Sequence, residues 1–254
     1  MRALNTTEWE LLYRLLEHLN SSLVTIRLFG HFAIFLLRKI PITQTLKNEI
    51  HSLLRSMNKF ESDLLDIIYF EDEIFSESHL PPNTRLTEVE FHDCTFINCK
   101  LFDVIFFNCR FENCVFQNCD LSSISIKHSV FDGVLFEESK IIGVQWADAG
   151  IPLDVKFRYC SLNYCSFIGV DLRSTEMTNC TIKGADFSET NLSKSNCQCS
   201  DFTGARFVNT NLRFTDFSYA SNYSIHPDGN KLKKTIFSSP DVLSLLDVYD
   251  IVIK

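Results

Sequence analysis

Residues 86–120 read LTEVE FHDCT FINCK LFDVI FFNCR FENCV FQNCD, and each group of five begins with a large apolar residue. The spacing continues without a miss, giving Leu86, Phe91, Phe96, Leu101, Phe106, Phe111, Phe116, Leu121, Ile126, Phe131, Phe136, Ile141 and Trp146. A helix brings every third or fourth residue to one side, and a strand every second residue, so neither element explains a period of five. The period therefore predicts a solenoid built from short repeats.

A second series resumes after an irregular stretch around Ala149, Gly150 and Pro152, shifted by one residue. We call the large residue of each repeat, in both series, its centre. The centres of the second series are Phe157, Leu162, Phe167, Leu172, Met177, Ile182, Phe187, Leu192, Cys197, Phe202, Phe207, Leu212 and Phe217. Two positions before these centres lies a column of small or β-branched residues: Cys94, Cys99, Val104, Cys109, Cys114, Cys119, Cys160, Cys165, Val170, Thr175, Cys180, Ala185 and Thr190. Eight of the ten cysteines lie in this column, which predicts that they are buried packing residues.

Three stretches resemble the A(D/N)LXX consensus of the pentapeptide-repeat family: Ala185-Asp186-Phe187-Ser188, Asp201-Phe202-Thr203-Gly204-Ala205 and Thr210-Asn211-Leu212. The resemblance covers residues 84–220, with an interruption near 147–155. It implies a mainly β fold, a right-handed quadrilateral parallel β-helix of about six and a half coils stacked at roughly 4.8 Å. The centre and the small residue two before it then point inward, and the other three residues of each repeat point outward.

The first eighty residues follow a helical spacing instead. Trp9, Leu12, Leu16, Leu19, Leu23 and Ile26 form one apolar seam, and Leu46, Ile50, Leu53, Met57, Phe60, Leu64 and Ile67 form another. We therefore expect an α-helical hairpin in residues 1–80, a linker at Glu71–Pro82, and a C-terminal cap in residues 221–254 that includes a short helix from Asp241 to Asp247. The two seams either pack on each other and on the first coil or mediate a coiled-coil dimer.

Composition narrows the classes of function. The formal net charge of −8 argues against a protein that binds nucleic acid directly through phosphate contacts. The apolar stretch from Leu23 to Leu37 is shorter than the roughly 20 residues that span a bilayer, so we expect no transmembrane helix. The sequence begins MRALNTTEWE, which lacks the pattern of a signal segment, and a bacterial cytoplasmic location is the expectation, with secretion as an effector as the alternative.

No residues present a pattern typical of catalysis, metal binding or cofactor binding. Cysteines five apart do not match the spacing of zinc ligands, and Cys199, outside the inward column, is expected to be the exposed thiol. His92 and His128 fall on outward positions without a neighbouring nucleophile. A set of aspartates precedes the centres, and turn formation explains them better than acid–base chemistry: Asp120, Asp171, Asp186, Asp201 and Asp216. We expect a protein that is not an enzyme.

The C-terminal segment, residues 230–238 followed by 240–253, resembles the ending of Qnr-type pentapeptide-repeat proteins, which protect DNA gyrase and topoisomerase IV from quinolones. That resemblance implies a rod that mimics duplex DNA, a topoisomerase partner and a tail-to-tail homodimer through the C-terminal helix. Candidate dimer contacts are Val242, Leu245, Leu246 and Tyr249. The interruption at 147–155 lies where Qnr-type proteins carry a projecting loop, which makes Asp148, Ile151, Pro152 and Asp154 candidate partner contacts.

A second class of function remains open from the residues. An added helical domain is typical of an adaptor or a secreted bacterial effector, in which the helices and the rod surface bind a protein partner. The two classes differ in where charge lies on the rod. A continuous acidic face would favour DNA mimicry, whereas a mixed face with apolar residues would favour an ordinary protein partner.

Overall fold

A computed structural model describes residues 68–249 and residue 251, which form a parallel β-solenoid of about eight turns. The strands are β1 (Ile68–Glu71), β2 (Ile74–Ser76), β3 (Arg85–Thr87), β4 (Val89–His92), β5 (Thr95–Ile97), β6 (Ile105–Phe107), β7 (Arg110–Glu112), β8 (Val115–Gln117), β9 (Val130–Glu137), β10 (Leu153–Arg158), β11 (Glu176–Thr178), β12 (Asp216–Phe217) and β13 (Ile236–Phe237). Most strands are short because each covers one side of a four-sided coil. The predicted β-helix is confirmed.

All strand pairs among the described residues are parallel, and each residue pairs with one a full coil away. The first face contains β1, β4, β7 and β9 in that order, and the second contains β2, β5, β8, β9, β10 and β11. In later coils isolated bridges such as Thr181 to Asp201 keep the same alignment. We number the coils 1 to 9 by the centres of the first face: Phe70, Phe91, Phe111, Phe131, Leu153, Leu172, Leu192, Leu212 and Leu232.

The core consists of aromatic stacks that run along the rod axis. Thirteen phenylalanines at the centres are all buried: Phe91, Phe96, Phe106, Phe111, Phe116, Phe131, Phe136, Phe157, Phe167, Phe187, Phe202, Phe207 and Phe217. The ring centroid of Phe111 lies 4.9 Å from that of Phe91 on one side and 4.9 Å from that of Phe131 on the other. The Phe116 ring meets Phe111 edge-on at 5.7 Å. Since burying one such side chain contributes roughly 1.5 to 3 kcal/mol, these stacks are the main source of stability.

The small inward column satisfies backbone carbonyl groups of the preceding coil. The Cys114 thiol donates to the Phe91 carbonyl at 3.3 Å, and the Ser139 hydroxyl donates to the Phe116 carbonyl at 3.1 Å. The Thr190 hydroxyl donates in the same way to the Phe167 carbonyl at 2.6 Å. Cys, Ser and Thr therefore alternate in this column because each offers a small side chain with one donor.

The corners of the coils require a left-handed backbone. Among the described residues, 25 non-glycine residues and five glycines have positive φ, and nearly all of them occupy the second position after a centre. Asn, Asp and Gly recur there because they tolerate this conformation better than other residues. Asn108, with φ of 54°, is an exposed example whose side chain makes no hydrogen bond that would complicate its replacement.

Replacing Asn108 with Val should lower the free energy of unfolding by about 1 to 2 kcal/mol, because a β-branched side chain is strained at positive φ. Replacing it with Gly should change the free energy by less than about 1 kcal/mol. Urea denaturation followed by circular dichroism measures both variants. Equal stability of the two variants would contradict the conformational explanation.

The solenoid is longer at both ends than predicted. Ile68–Ser76 form strands that pair with β4 and β5, so Glu71–Pro82 is the first coil and the prediction that it is a linker is wrong. Phe70, Phe75 and Leu80 keep the period of five, but one extra residue before Leu86 hides their phase. At the other end Phe237 pairs with Phe217, beyond the predicted boundary at 220.

Short 3₁₀-helices interrupt or end the coils at Trp146–Asp148, Pro227–Gly229 and Asp241–Tyr249. The last of these follows the final strand where a short helix was predicted, and Leu245 packs against the end of the core. In the part of the chain that the structure describes, no helix is long and apolar enough to cross a membrane. The helical hairpin was predicted for residues 1–80: residues 68–80 belong to the first coil instead, and residues 1–67 lie outside the part of the chain that the structure describes.

Candidate interaction surface

In the described part of the chain, no three His, Cys, Asp or Glu side chains converge as a metal site. His92 lies between two carboxylates, with Nε2 3.2 Å from Glu90 and Nδ1 3.4 Å from Glu112. Arg110 in turn contacts Glu112 at 3.1 Å and Asp132 at 3.7 Å. These contacts form a surface ion-pair network along the first face.

The aspartates before the centres have a structural role. The Asp186 carboxylate accepts a hydrogen bond from the Ser188 backbone N–H at 2.8 Å, and Asp216 accepts one from Ser218 at 2.8 Å. Asp120, Asp171 and Asp201 accept the same bond from the residue two positions later. Each carboxylate therefore holds the turn that leads to the next corner, as predicted.

The inward cysteines are packing residues. All ten cysteines of the chain are free. Nine of them are buried, and Cys199, outside the inward column, is exposed, as predicted. Burial raises the pKa of the Cys165 thiol to about 12 and also raises the pKa of Cys197. The contact with Cys94 and burial raise the pKa of Cys114. Cys114, Cys165 and Cys197 are thus held in the protonated form, in which a thiol is a poor nucleophile and a poor metal ligand.

The interruption at 147–155 is a compact insertion of one residue rather than a projecting loop. The Gly150 N–H donates to the Ser129 carbonyl, and the His128 N–H donates to the Asp148 carbonyl, both at 2.8 Å. Phe157 stacks on Phe136 again after 21 residues instead of 20. These backbone bonds hold the segment in the wall of the rod, so it does not form a projecting loop.

The candidate partner contacts nevertheless lie on the surface of this insertion. Asp148, Pro152 and Asp154 are exposed, and Ile151 is 92% exposed. Beside Ile151 lies a groove of about 950 Å³ that reaches from the insertion to the first face of coils 6 and 7. Apolar residues Ile168 and Val170 line one part of the groove.

The candidate dimer helix is largely turned toward the rod. Leu245 packs against the core, and Val242 and Leu246 are half-buried. The Ser244 hydroxyl donates to the Tyr223 carbonyl at 3.2 Å, which ties the helix to the last full coil. Tyr249 is exposed. The segment closes the end of the core, and the tail-to-tail dimer stays a prediction.

The half of the first face that lies in coils 1 to 4 is acidic. Its outward positions in coils 1 to 4 carry six carboxylates and a single arginine, Arg110. We call these carboxylates the acidic half: Glu71, Asp72, Glu90, Asp93, Glu112 and Asp132. Glu71, Asp72 and Asp93 are exposed and pair with no basic side chain among the described residues.

The half of the same face that lies in coils 6 to 9 is basic. In coils 6 to 9 the outward positions carry six basic side chains and a single carboxylate, Asp171, which pairs with Arg173 at 2.8 Å. We call these side chains the basic half, and all six are exposed: Arg173, Lys194, Arg213, Lys231, Lys233 and Lys234. Lys234 also lies 5.6 Å from the centre of the Phe214 ring. The first face, as far as the structure describes it, thus presents no continuous acidic track.

The opposite side of the rod carries exposed tyrosines. Tyr159 and Tyr164 stand at the two corners that flank the third face in coil 5, at 60% and 68% exposure. Tyr219, 76% exposed, lies on the corner column of Tyr159 three coils further along, roughly 14 Å away. Cys199 lies between them on that column. We call Tyr159, Tyr164 and Tyr219 the tyrosine surface.

Comparison with known families identifies the repeat. A model of pentapeptide repeat regions matches residues 89–164, and a model of eight pentapeptide repeat copies matches residues 154–188 and 185–221. The chain belongs to the pentapeptide-repeat family. No curated protein matches this pentapeptide-repeat protein in sequence.

Solved pentapeptide-repeat structures share the fold. A trypsin-treated variant of QnrB1, a plasmid-mediated fluoroquinolone resistance protein, superposes with a TM-score of 0.51 at 16% identity, covering 73% of this chain and all of the other. HetL from a Nostoc cyanobacterium, involved in heterocyst differentiation regulation, gives a TM-score of 0.37 at 15% identity, covering 72% of this chain and 90% of that one. At 16% identity the likeness to QnrB1 shows the fold alone.

Two features of this pentapeptide-repeat surface were missed from sequence. The acidic and basic halves become visible only when residues one coil apart are aligned. The tyrosine surface places Tyr159 on the same column as Tyr219, sixty positions later in the sequence. A signal was present, since Arg173, Arg213 and Lys233 recur at multiples of twenty. Summing charge over the whole chain conceals this pattern.

Proposed function

We propose that this pentapeptide-repeat protein is a non-enzymatic scaffold that binds a protein partner through the tyrosine surface. The observation that carries the proposal is the exposure of three tyrosines on one side of a rod whose other large aromatic residues mostly fill the core. Tyrosine is enriched in protein interfaces because it combines a large apolar ring with a hydroxyl group and loses little conformational freedom. A rigid solenoid keeps the three side chains at fixed spacing.

The surroundings of Tyr164 support a flat contact area. A side chain added at Gly184 would come within 2.9 Å of the Tyr164 ring, so the ring lies directly over this glycine. Gly204 follows in the same column, where it also adds no side chain. Next to them, Lys183 and Asp201 pair at 3.3 Å, which leaves little net charge at this site.

The exposed thiol gives a direct test. A benzophenone maleimide attached to Cys199 lies between Tyr159 and Tyr219, and irradiation in an extract of the source cells should link it to one partner protein. Replacing Tyr159 and Tyr219 with Ala should weaken binding of that purified partner at least tenfold, since aromatic anchors carry much of the energy of such contacts. Replacing the exposed Phe102, two coils or more away from these tyrosines, with Ala serves as the control.

The same probe placed elsewhere shows whether the contact is local. A Cys199→Ser chain with Asn108→Cys carries the label at an exposed corner that borders the first face, away from the tyrosine surface, and should give no specific product. Equal labelling at both positions, or a partner that binds the double Ala variant unchanged, would refute the proposal.

DNA gyrase is a named candidate for the partner, because the resemblance to Qnr-type proteins implies a topoisomerase. A mimic of DNA needs a continuous acidic track, and the basic half of the first face weighs against that mechanism. Gyrase is therefore included as a purified protein in the crosslinking, beside a supercoiling assay with a quinolone. Crosslinking at Cys199 together with dose-dependent recovery of supercoiling would identify gyrase as the partner.

A further inference from the structure

The two charged halves of the first face are arranged symmetrically about coil 5. The acidic half occupies coils 1 to 4, with two carboxylates in each of coils 1 and 2, and the basic half occupies coils 6 to 9, with three lysines in coil 9. Glu71 and Asp72 lie in coil 1, whereas Lys231, Lys233 and Lys234 lie in coil 9. Rotation about an axis across coil 5 therefore exchanges acidic positions with basic ones.

The middle of this face carries apolar residues instead of charge clusters. Coil 5 contributes the exposed Ile151 and Pro152 with one exposed carboxylate, Asp154, and the groove of about 950 Å³ opens beside them. Interfaces between proteins commonly have an apolar centre and a polar rim. The first face has that composition along its length.

We propose that two copies of this protein associate through their first faces with the rods antiparallel, so that the acidic half of each copy contacts the basic half of the other. This association goes beyond the proposed function, because the tyrosine surface lies on the opposite side of the rod and remains free. The pairing is isologous, since the same face of both copies is used and the contact closes on itself as a dimer.

Residue positions within the coils agree with this arrangement. An antiparallel twofold pairs coil 1 with coil 9 and keeps each outward column opposite itself. Lys233 then faces Glu71 of the second copy, and Lys234 faces Asp72. Arg173 in coil 6 similarly faces Asp132 in coil 4.

The parallel arrangement is disfavoured by the same charges. It would place acidic half against acidic half and basic half against basic half, and like charges placed opposite one another cost several kcal/mol in total. Charge therefore selects the antiparallel orientation as well as the face.

Ionic strength should control the association. Exposed ion pairs contribute roughly 0.2 to 1 kcal/mol each, and screening shortens their reach from about 30 Å at 0.01 M salt to about 3 Å at 1 M. The dissociation constant of the dimer should thus rise at least tenfold between these two salt concentrations, as measured by analytical ultracentrifugation of the full chain.

Charge reversal tests the contact directly. The variant R173E/K233E/K234E reverses the three basic side chains that face carboxylates in this arrangement, and the variant E71K/D72K/D132K reverses those three carboxylates. Each variant alone should be monomeric at a concentration where the unchanged protein is a dimer. Mixed in equal amounts, the two variants should form a heterodimer, because both contacts then join opposite charges again. The control K100E/K127E/K140E changes the charge equally on exposed positions of other faces and should remain a dimer.

Disulfide crosslinking at the centre provides a second measurement that needs no charge variant. In a Cys199→Ser background, Ile151→Cys lies near the proposed twofold axis and should form a covalent dimer under mild oxidation, whereas Thr203→Cys on the third face should not. A monomer at low salt, a dimer unaffected by charge reversal, or the absence of heterodimer in the mixture would overturn the proposal. A dimer lost only on deletion of residues 240–254 would instead indicate the C-terminal contact, and none of these outcomes bears on partner binding at Cys199.

Discussion

Replacing Phe111 with Asp should abolish cooperative folding of the N-terminal coils. Phe111 is 1% exposed and stacks between Phe91 and Phe131 at 4.9 Å on either side. The substitution removes the apolar contacts of a full ring and buries a carboxylate without a partner, at a combined cost on the order of 5 kcal/mol or more. Such a cost is comparable to the whole stability of many domains. Circular dichroism and a thermal melt measure the loss.

The matched control uses the same substitution on an outward position. Phe102 lies one residue after a centre and is 48% exposed, so Phe102→Asp should change the free energy of unfolding by less than about 1 kcal/mol. An unchanged melting temperature for Phe111→Asp would show that the side chain does not point into the core.

The second large effect is expected at Trp146, where the two series of repeats meet. Its buried ring lies 5.7 Å from Phe131, 5.9 Å from Phe136, 5.4 Å from Phe157 and 6.0 Å from Phe167. Trp146→Ala should destabilise the solenoid by about 3 to 5 kcal/mol, because a cavity would form between the aromatic stacks on either side of the insertion. Urea denaturation measures this change.

Replacing Trp146 with Phe distinguishes the effect of losing the ring volume from the effect of losing the indole N–H donor. The buried Trp146 Nε1 has no hydrogen-bond partner among the described residues, so its removal relieves an unsatisfied donor while most of the ring volume remains. We expect this variant to lie within about 1.5 kcal/mol of the unchanged protein. If both substitutions destabilised the protein equally, cavity formation would not be the cause.

The period of five was sufficient to predict the fold because every repeat poses the same packing problem. Each centre must fill the core, and each corner must accept positive φ, so the residue types recur wherever the phase is kept. The phase fails three times: by one residue near Pro81, by one near Gly150, and again after Phe217, where Ile225 pairs with Phe207 only 18 positions earlier. The first failure hid Phe70, Phe75 and Leu80, and residues 71–82 therefore resembled a charged linker.

The surface was harder to predict than the core. A face is defined only after residues from successive coils are aligned, and Glu71 and Glu112 share a column although 41 positions separate them. An error of one residue in this count moves an outward charge to another column. For the same reason the backbone bonds that keep Gly150 in the wall of the rod could not be inferred from the irregular composition of 147–155.

Because each coil has four sides, the number of residues that precede a given residue decides which face of the rod it lies on. Removing five residues between 159 and 169 would leave the spacing of the centres intact, yet it would rotate everything after the deletion by a quarter turn. The basic half would then leave the line of the acidic half and move to the fourth face, while removal of twenty residues would restore the alignment in a shorter rod. The one-residue insertion near Gly150 causes no such rotation, because Phe157 returns to the stack of Phe136. Insertions and deletions in this protein thus act as discrete steps of orientation, which can redirect a binding surface without altering the chemistry of the core.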